Sequence, residues 1–361
     1  MLKRTEFLMH RLFRLAALCC SLWVVAASAQ TPLAPAPYKL RVVGGLAGVS
    51  QFTRWEEPFW SRELLRLSGG RFSADIVPFD RAGVPGVEML SLLQLGVVPF
   101  GTTLMSALSA QYPQYTAPDL AGLNPDIASL RQSLSVFRPY LEKALRDQHG
   151  VEMLAVYTYP AQVLFCKKPL ASLADLAGRR IRVSSVGQAD FIGALGAVPV
   201  NTAFGELVSN LQSGNVECAI TGTMSGNSLG LPAMTNYVYA MPLTWGLAVF
   251  GANRAAWEAL PPELRALLRK ELPKLEASIW EEAARDTAEG FACNSGAPDC
   301  KVGHKGRMVV VPVSAQDERR RQEVFKTTVL PRWLKRCGGR CDDIWNQTIG
   351  LARHIATPGK P

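Results

Sequence analysis

The chain has 361 residues, of which 48% are hydrophobic and 19% charged, and its net charge is +9. A chain of this length buries a large core and commonly folds as two domains. Its two short basic runs, Arg179-Arg180 and Glu318 to Arg321, contain no interleaved aromatic residues. The composition therefore argues against nucleic-acid binding and favours solvated charged faces.

The first 29 residues have the layout of a secretory signal peptide. A basic start precedes an apolar run from Leu15 to Val25, and Ala27-Ser28-Ala29 offers a cleavage site. The alternative is an uncleaved N-terminal anchor. We expect cleavage near Ala29 and a periplasmic protein of net charge +6, because residues 1–29 hold four basic residues and one acidic residue. No later stretch is apolar over the roughly 18 residues that a membrane span needs.

Strands and helices alternate after a Pro-rich lead-in at residues 30–37. The patterns predict strands at 38–43, 71–77, 97–101 and 151–157, and helices at 54–67, 87–95 and 126–149. Residues 176–220 are predicted to form a strand, a helix, a strand, a helix and a strand in that order. Such alternation is typical of parallel βαβ units, so we predict an α/β fold.

The C-terminal part begins with a strand at 244–251, and a helical zone follows at 254–291. Prolines 261, 262 and 273 should start or kink helices within this zone. After residue 291 the pattern is irregular. It predicts one strand at 308–313 and helices near 315–328 and 342–354.

Six cysteines follow residue 29, and an even number in an exported protein allows disulfides. We predict the pairs Cys293–Cys300 and Cys337–Cys341, because each closes a short loop that contains glycine. Cys166 and Cys218 lie in apolar strands and are either buried thiols or a third pair. No second CxxC is present and the histidines do not cluster with the cysteines, so we expect no metal and no cofactor.

One pattern resembles an enzyme motif. Residues 226–230, Gly-Asn-Ser-Leu-Gly, fit the GxSxG of serine hydrolases, in which the serine sits on a sharp turn between strand and helix. Here several residues separate Ser228 from the end of the preceding strand, which suits a loop. A secreted serine esterase using Ser228 is therefore the alternative function, and a non-catalytic protein is expected.

The most informative residue is Arg182, which lies between Ile181 and Val183 in a predicted strand. A charge at a buried strand position is costly unless something pairs with it. A guanidinium there can bind a carboxylate through two parallel hydrogen bonds. The alternative is an ion pair with Asp175 or Asp190 of the same domain.

The residues around Arg182 carry a family resemblance. LADLAGRRIRV at 173–183, followed by the segments 194–200, 204–207 and 211–217, resembles the signature of the DctP-type solute-binding proteins of tripartite ATP-independent periplasmic (TRAP) transporters. Residues 68–72 and 253–257 agree with it. The resemblance covers residues 38–290 and leaves out the Cys-containing tail.

This resemblance implies a two-lobed periplasmic-binding-protein fold, type II-like, with a long helix spanning the lobes. Lobe I would hold residues 38–158 and about 247–290, and lobe II residues 159–246 and about 291–361. The family also implies a receptor without catalytic activity that hands an organic acid to membrane permease subunits. We expect a monomer, although the sequence does not identify whether the protein dimerises. A ligand-sensing partner of a membrane kinase is an alternative that the sequence does not separate from transport.

Three residues fall on ligand-binding positions of the family. Arg182 matches the arginine that holds the ligand carboxylate, and Phe204 matches an aromatic residue that packs on the ligand. Thr221 stands where many members have an asparagine that reaches the carboxylate. Near Gln162 this chain lacks the second arginine of sialic-acid-binding members. The loop around Thr103 lacks their acidic residue, which argues against a sugar acid.

The remaining candidates for the site are aromatic and basic. Phe52, Arg54 and Trp55 follow the first strand, and Trp245 lies in the expected hinge region. For Trp55 and Trp245 the alternative is a place in the core. Aromatic walls with one carboxylate anchor predict an apolar or aromatic monocarboxylate. If Arg54 points inward, a small dicarboxylate is also compatible.

Overall fold

A computed structural model describes residues 37–357. The predicted signal peptide, its cleavage site and nearly all of the Pro-rich lead-in lie outside these residues. Among the described residues, no helix is both long enough and apolar enough to cross a membrane.

The first sheet has the strand order β2-β1-β3-β10-β4. Its strands are β1 (Tyr38–Gly44), β2 (Phe72–Pro78), β3 (Phe100–Leu104), β4 (Val151–Thr158) and β10 (Leu247–Asn253). Strand β1 runs parallel to β2 and β3, whereas β10 runs antiparallel to β3 and β4. The sheet is therefore mixed, because β10, which comes last of its strands in the chain, lies antiparallel between β3 and β4.

The second sheet has the order β11-β9-β5-β8-β6-β7. Its strands are β5 (Gln162–Cys166), β6 (Arg180–Val183), β7 (Val198–Asn201), β8 (Cys218–Gly222), β9 (Tyr237–Thr244) and β11 (Val309–Val311). Strand β6 is parallel to both β7 and β8, and β5 is antiparallel to β8 and β9. The three parallel strands β7, β6 and β8 end at the same edge of this sheet.

Helices cover both sheets. The α-helices are α1 (Leu64–Leu67), α2 (Met89–Gln94), α3 (Ile127–His149), α4 (Val186–Ala194), α5 (Leu207–Gln212), α6 (Thr223–Ser228), α7 (Arg254–Glu258), α8 (Pro262–Ser295), α9 (Ala315–Val324), α10 (Leu330–Arg336), α11 (Arg340–Gln347) and α12 (Ile349–Arg353). Gln51–Glu56, Phe59–Glu63 and Phe325–Val329 are π-helical, and Pro113–Asp119, Leu173–Leu176, Phe204–Glu206 and Leu231–Ala233 are 3₁₀ turns.

The predicted two-lobed α/β fold with a long helix is confirmed. Two short linkers join the sheets: residues 159–161 between β4 and β5, and Trp245-Gly246 between β9 and β10. Gly246 has φ +80°, a conformation that side chains with a Cβ rarely adopt. The strands of each sheet fall within the residues predicted for one lobe. The lobe boundaries themselves stay a prediction.

Three details differ from the sequence prediction. The third strand is Phe100–Leu104 instead of 97–101, because the chain turns after helix α2 at Gly96, which has φ +73°. The single strand predicted at 244–251 is interrupted at Trp245-Gly246, where the chain passes from one sheet to the other. The βαβ units supply parallel pairs, whereas β5, β9 and β10 pair antiparallel, since local periodicity carries no information on strand direction.

Helix α8 contacts elements of both sheets. It starts at Pro262, because the first turn of a helix does not use the N–H that proline lacks, and it ends at Ser295, before Gly296 with φ +79°. On the first-sheet side, Trp280 Nε1 donates to Val156 O at 2.8 Å. On the second-sheet side, Thr223 Oγ1 donates to Asp286 O at 3.0 Å. One rigid element therefore touches both sheets.

Three disulfides are present among the described residues. Cys293–Cys300 and Cys337–Cys341 form the bonds predicted from loop spacing. The open question of Cys166 and Cys218 resolves as a third bond, because β5 and β8 place the two residues directly opposite each other.

A close helix contact gives a test of the fold. A Cβ at Gly290 of α8 would lie 2.5 Å from the carbonyl carbon of Thr223 in α6, which is backbone and cannot turn aside. We expect Gly290→Ala to lower the free energy of unfolding by about 1–3 kcal/mol, measured by urea denaturation. A Cβ at Gly193 meets no atom within 4 Å. The control Gly193→Ala should raise stability by up to about 1 kcal/mol, and equal effects of both substitutions would contradict this packing.

Candidate functional site

A cavity of about 590 Å³ opens between the two sheets. One wall consists of residues at or just after the carboxyl ends of β6, β7 and β8, among them Ser184, Thr202 and Thr221. The crevice outside the carboxyl ends of parallel strands is where open α/β sheets bind ligands. The volume is in the range of small-molecule sites.

Arg182 is the charged residue at the centre of this wall. Its side chain is 2% exposed, yet it lines the cavity. Nη1 donates to Ile220 O at 2.8 Å and Nη2 donates to Thr202 O at 2.9 Å, so the guanidinium is fixed by the ends of β8 and β7. Nε has no hydrogen-bond partner among the described residues. The fork is thus held rigidly while part of its donor capacity stays free.

No carboxylate of the described residues forms an ion pair with Arg182. Asp190 pairs instead with Arg332 and Arg336 of α10, at 3.3 and 2.6 Å. Asp175 accepts the backbone N–H groups of Ala171 and Ser172 at 2.7 and 3.0 Å. The ion pair considered as the alternative role of Arg182 is therefore absent.

Burial changes the acidity of Arg182 in the expected direction. Desolvation lowers the pKa of the guanidinium to about 10, and the charge of Glu206 opposes this shift. The side chain still carries its proton at neutral pH. An anion that entered the cavity would replace the lost hydration of this cation.

Polar side chains continue the wall beside Arg182. Gln188 Oε1 accepts the Ser184 N–H at 2.8 Å, and its Nε2 donates to Thr244 Oγ1 at 2.8 Å. Gln188 therefore ties the N-terminal turn of α4 to the end of β9, next to the linker between the sheets. The Val186 N–H donates to Ser109 Oγ at 3.1 Å, which joins α4 to the loop after β3.

Apolar side chains also line the cavity. They include Leu46, Phe79, Val84, Leu104, Met105, Leu120, Phe204 and Leu247. An apolar cavity with a few convergent polar groups is the usual form of a small-molecule site.

Asp119 lies at the linker between the sheets and also lines the cavity. Its carboxylate accepts the Trp245 N–H at 3.0 Å and the Gly246 N–H at 2.7 Å. Desolvation raises the pKa of Asp119 to about 7, and the backbone hydrogen bonds from residues 245–247 only partly offset it. A carboxylate thus holds the backbone of this linker.

Four of the nine predicted site residues line the cavity: Arg182, Phe204, Thr221 and Gln162. Gln162 donates from Nε2 to Pro160 O at 3.1 Å, so its amide is held by the other linker between the sheets. Their roles as ligand contacts stay a prediction.

The other five do not line the cavity. Phe52 and Trp55 pack in or against the core, and Trp245 is 3% exposed with Nε1 donating to Asn124 O at 3.2 Å. Thr103 is buried beside Leu90 and Leu93. Arg54 donates to Glu282 of α8 at 2.5 Å. The aromatic wall expected from Phe52, Trp55 and Trp245 is thus replaced by Phe79, Tyr159 and aliphatic residues.

The sequence analysis missed Asp119, Gln188, Thr202 and Ser184 as cavity residues. Ser184 and Thr202 could have been found, because each directly follows a predicted parallel strand. Asp119 carries no such signal, since it comes from a turn far away in sequence.

Two further expectations concern chemistry. Ser228 ends helix α6, is exposed and does not line the cavity, so the strand-to-helix turn of a hydrolase nucleophile is not formed there. Within residues 37–357, no group of three or more His, Cys, Asp or Glu side chains is placed to hold a metal ion.

Comparison with known proteins identifies the family. The chain matches the model of bacterial extracellular solute-binding protein family 7, DctP, over residues 57–294. The chain belongs to this family. A curated solute-binding protein of Roseobacter denitrificans is 29% identical over 167 residues, which are 44% of this chain and 49% of that protein. The match thus spans about half the length of this curated relative.

Solved structures of similar fold include DctP7, a Bordetella pertussis extracytoplasmic solute receptor binding pyroglutamic acid. Its TM-score is 0.76 at 22% identity, covering 86% of this chain and 98% of that one. A TRAP periplasmic solute-binding protein from Desulfovibrio salexigens with bound orotic acid has a TM-score of 0.75 at 18% identity. It covers 88% of this chain and 98% of its own. Both establish the fold of this member of the DctP family.

A buried acid beneath the cavity gives a pH prediction. Glu56 accepts the Gly45 N–H at 2.6 Å and the Thr102 hydroxyl at 2.8 Å, which fixes the turn that carries Leu46. Burial raises the pKa of Glu56 from 4.5 to about 7, although these hydrogen bonds oppose the shift. The folded state therefore keeps a proton that the unfolded chain releases, and the free energy of unfolding falls as pH rises across this window.

Glu56→Gln should reduce this fall, because a neutral amide has no proton to release. Between pH 4.5 and pH 7, Glu56 should account for at most about 3 kcal/mol of the fall in the free energy of unfolding. Urea denaturation at several pH values measures this fall in both proteins. Asp119 and Asp286 also have raised pKa values, so part of the slope should remain. The control is Glu57→Gln at the exposed neighbouring position. An unchanged slope in Glu56→Gln would show that Glu56 is not the titrating group.

Proposed function

We propose that this DctP-family protein is a periplasmic receptor that binds a monocarboxylate with an apolar body and delivers it to a TRAP-type membrane permease. The observation that carries the proposal is the buried, rigidly held guanidinium of Arg182, which lines the cavity without an anionic partner. A ligand carboxylate supplies the missing charge and can accept two parallel N–H bonds.

The charges of the cavity favour one carboxylate over two. Arg182 is the sole Lys or Arg among the described residues that line the cavity, whereas Asp80, Asp119 and Glu206 contribute carboxylates. Arg54, which would have permitted a second ligand carboxylate, is engaged by Glu282 outside the cavity. A second ligand carboxylate would therefore meet like charges without a cation.

The named ligands of two structural relatives agree with a single carboxylate, although their rings are polar. Pyroglutamic acid and orotic acid are each a compact ring bearing one carboxyl group. These relatives share only the fold, at 22% and 18% identity, so the ligand class of this chain is inferred from its own cavity.

Arg182→Gln should weaken binding of monocarboxylates at least about 30-fold, because a charge-assisted bidentate pair contributes about 2 kcal/mol or more. Arg182→Lys should recover part of the affinity, since it restores the charge without the planar fork. Binding is measured by calorimetry with acids chosen from a thermal-shift screen.

Arg180 provides the matched control in the same strand. Its exposed side chain donates to Asn215 O and Gly214 O and does not line the cavity. Arg180→Gln should keep the affinity of the wild-type protein. Equal affinities of Arg182→Gln and wild type would refute the anchor.

The charge balance makes a separate prediction about ligand choice. In a pair that differs by one carboxylate, such as butyrate and succinate or benzoate and phthalate, the monocarboxylate should bind more tightly to the wild-type protein. Competition calorimetry at neutral pH measures the ratio. Tighter binding of the dicarboxylates would mean that the acidic residues of the wall do not face the ligand.

A further inference from the structure

The cavity contains two charged groups of opposite sign that do not compensate each other. Arg182 has no carboxylate partner, and Asp119 has no Lys, Arg or His partner among the described residues. Both line the same cavity, yet they form no ion pair with each other. A carboxylate bound at Arg182 accounts for one of these charges and leaves Asp119 without a counter-charge.

The position of Asp119 allows its carboxylate to contact a ligand in the cavity. It ends the 3₁₀ turn Pro113–Asp119, and its neighbours Thr116 and Leu120 line the cavity with it. The backbone N–H groups of Trp245 and Gly246 occupy part of its acceptor capacity. A carboxylate has about four lone-pair sites, so acceptor capacity remains on a side chain that reaches the cavity surface.

The other two acidic residues of the wall are in a different situation. Asp80 and Glu206 are exposed, and their carboxylates accept the backbone N–H groups of Ala47 and Ala203 at 3.0 and 3.2 Å. Water stabilises an exposed carboxylate, so a ligand gains little by contacting it. Asp119 is less exposed than these two residues and burial raises its pKa, so water stabilises its carboxylate less.

We propose that the ligand carries a nitrogen donor, an ammonium or a lactam or amide N–H, which donates to the Asp119 carboxylate while its own carboxylate binds Arg182. This inference rests on the proposed carboxylate-binding function and narrows its ligand class. The ligand is then a zwitterion or an N-acyl-type acid rather than a simple fatty or aromatic acid. Because Asp119 also holds Trp245-Gly246, the donor contacts the linker between the two sheets.

Matched ligand pairs test the proposal on the wild-type protein. Phenylalanine against 3-phenylpropionate adds an ammonium to a fixed carbon frame. Proline against cyclopentanecarboxylate exchanges a ring CH2 for an NH2⁺ group. Pyroglutamate against 5-oxotetrahydrofuran-2-carboxylate exchanges a lactam N–H for a ring oxygen. We expect the nitrogen-bearing member to bind at least about tenfold more tightly in the pairs that fit, as a charge-assisted hydrogen bond implies. Which pairs respond distinguishes an ammonium from a lactam donor.

Variants then locate the acceptor. Asp119→Asn should reduce the ratio of affinities within a pair to about one, because the amide is uncharged and has a single acceptor oxygen. Glu206→Gln removes an exposed carboxylate of the same wall, and it should keep the tenfold ratio. The ratio is compared within each variant, so a general loss of affinity from a looser linker cancels. Circular dichroism melting of each variant shows whether it is folded.

The outcomes are separable. Equal or tighter binding of the nitrogen-free acids overturns this inference but leaves the carboxylate receptor intact, provided that their binding depends on Arg182. The inference is likewise overturned if the acids that bind in a wider screen lack an N–H group. A ratio lost in Glu206→Gln and kept in Asp119→Asn overturns the role of Asp119. If no carboxylate binds wild-type protein, the proposed function fails and this inference fails with it.

Discussion

The site depends on one constraint: a guanidinium is buried in the second sheet without an internal anion. Strand β6 lies between β7 and β8, which buries Arg182, and two backbone carbonyls at the ends of β7 and β8 hold its guanidinium. Hydrogen bonds to neutral carbonyls satisfy individual donors but do not replace the hydration of a cation. The wall at Arg182 can therefore bind an anion, which reaches the guanidinium through the open cavity.

The linkers between the sheets are hydrogen-bonded to residues that line the cavity. Trp245-Gly246 and residues 159–161 both border the cavity, and cavity residues hold them through hydrogen bonds from Gln162 and to Asp119. Gln188 adds a bond from α4 to Thr244 just before the first of these linkers. A ligand that contacts these side chains also contacts the segments that set the relative position of the two sheets. In a two-lobed receptor, binding and closure would then be coupled through the same few residues.

The C-terminal tail, which the sequence resemblance left out, contributes to the same arrangement from outside the cavity. Arg332 and Arg336 pair with Asp190 of α4, and Trp333 Nε1 donates to Pro113 O at 2.7 Å, at the start of the turn that ends in Asp119. Helix α10 thus touches both the helix that follows Arg182 and the turn that carries Asp119. The Cys337–Cys341 bond lies directly after this helix.

The sequence by itself determined most strands and helices, two of the three disulfides and the position of Arg182 in a buried strand. These follow from short-range patterns: alternation, loop length and a charge inside an apolar strand. Strand direction, the Cys166–Cys218 bond and the fate of Arg54, Trp55 and Trp245 were not determined locally. Each depends on which distant segment lies opposite, as Glu282 does for Arg54 and Asn124 does for Trp245. The tertiary structure alone brought Asp119 into the cavity of Arg182, because side chains from distant parts of the chain meet only where the packing of two sheets leaves a space between them.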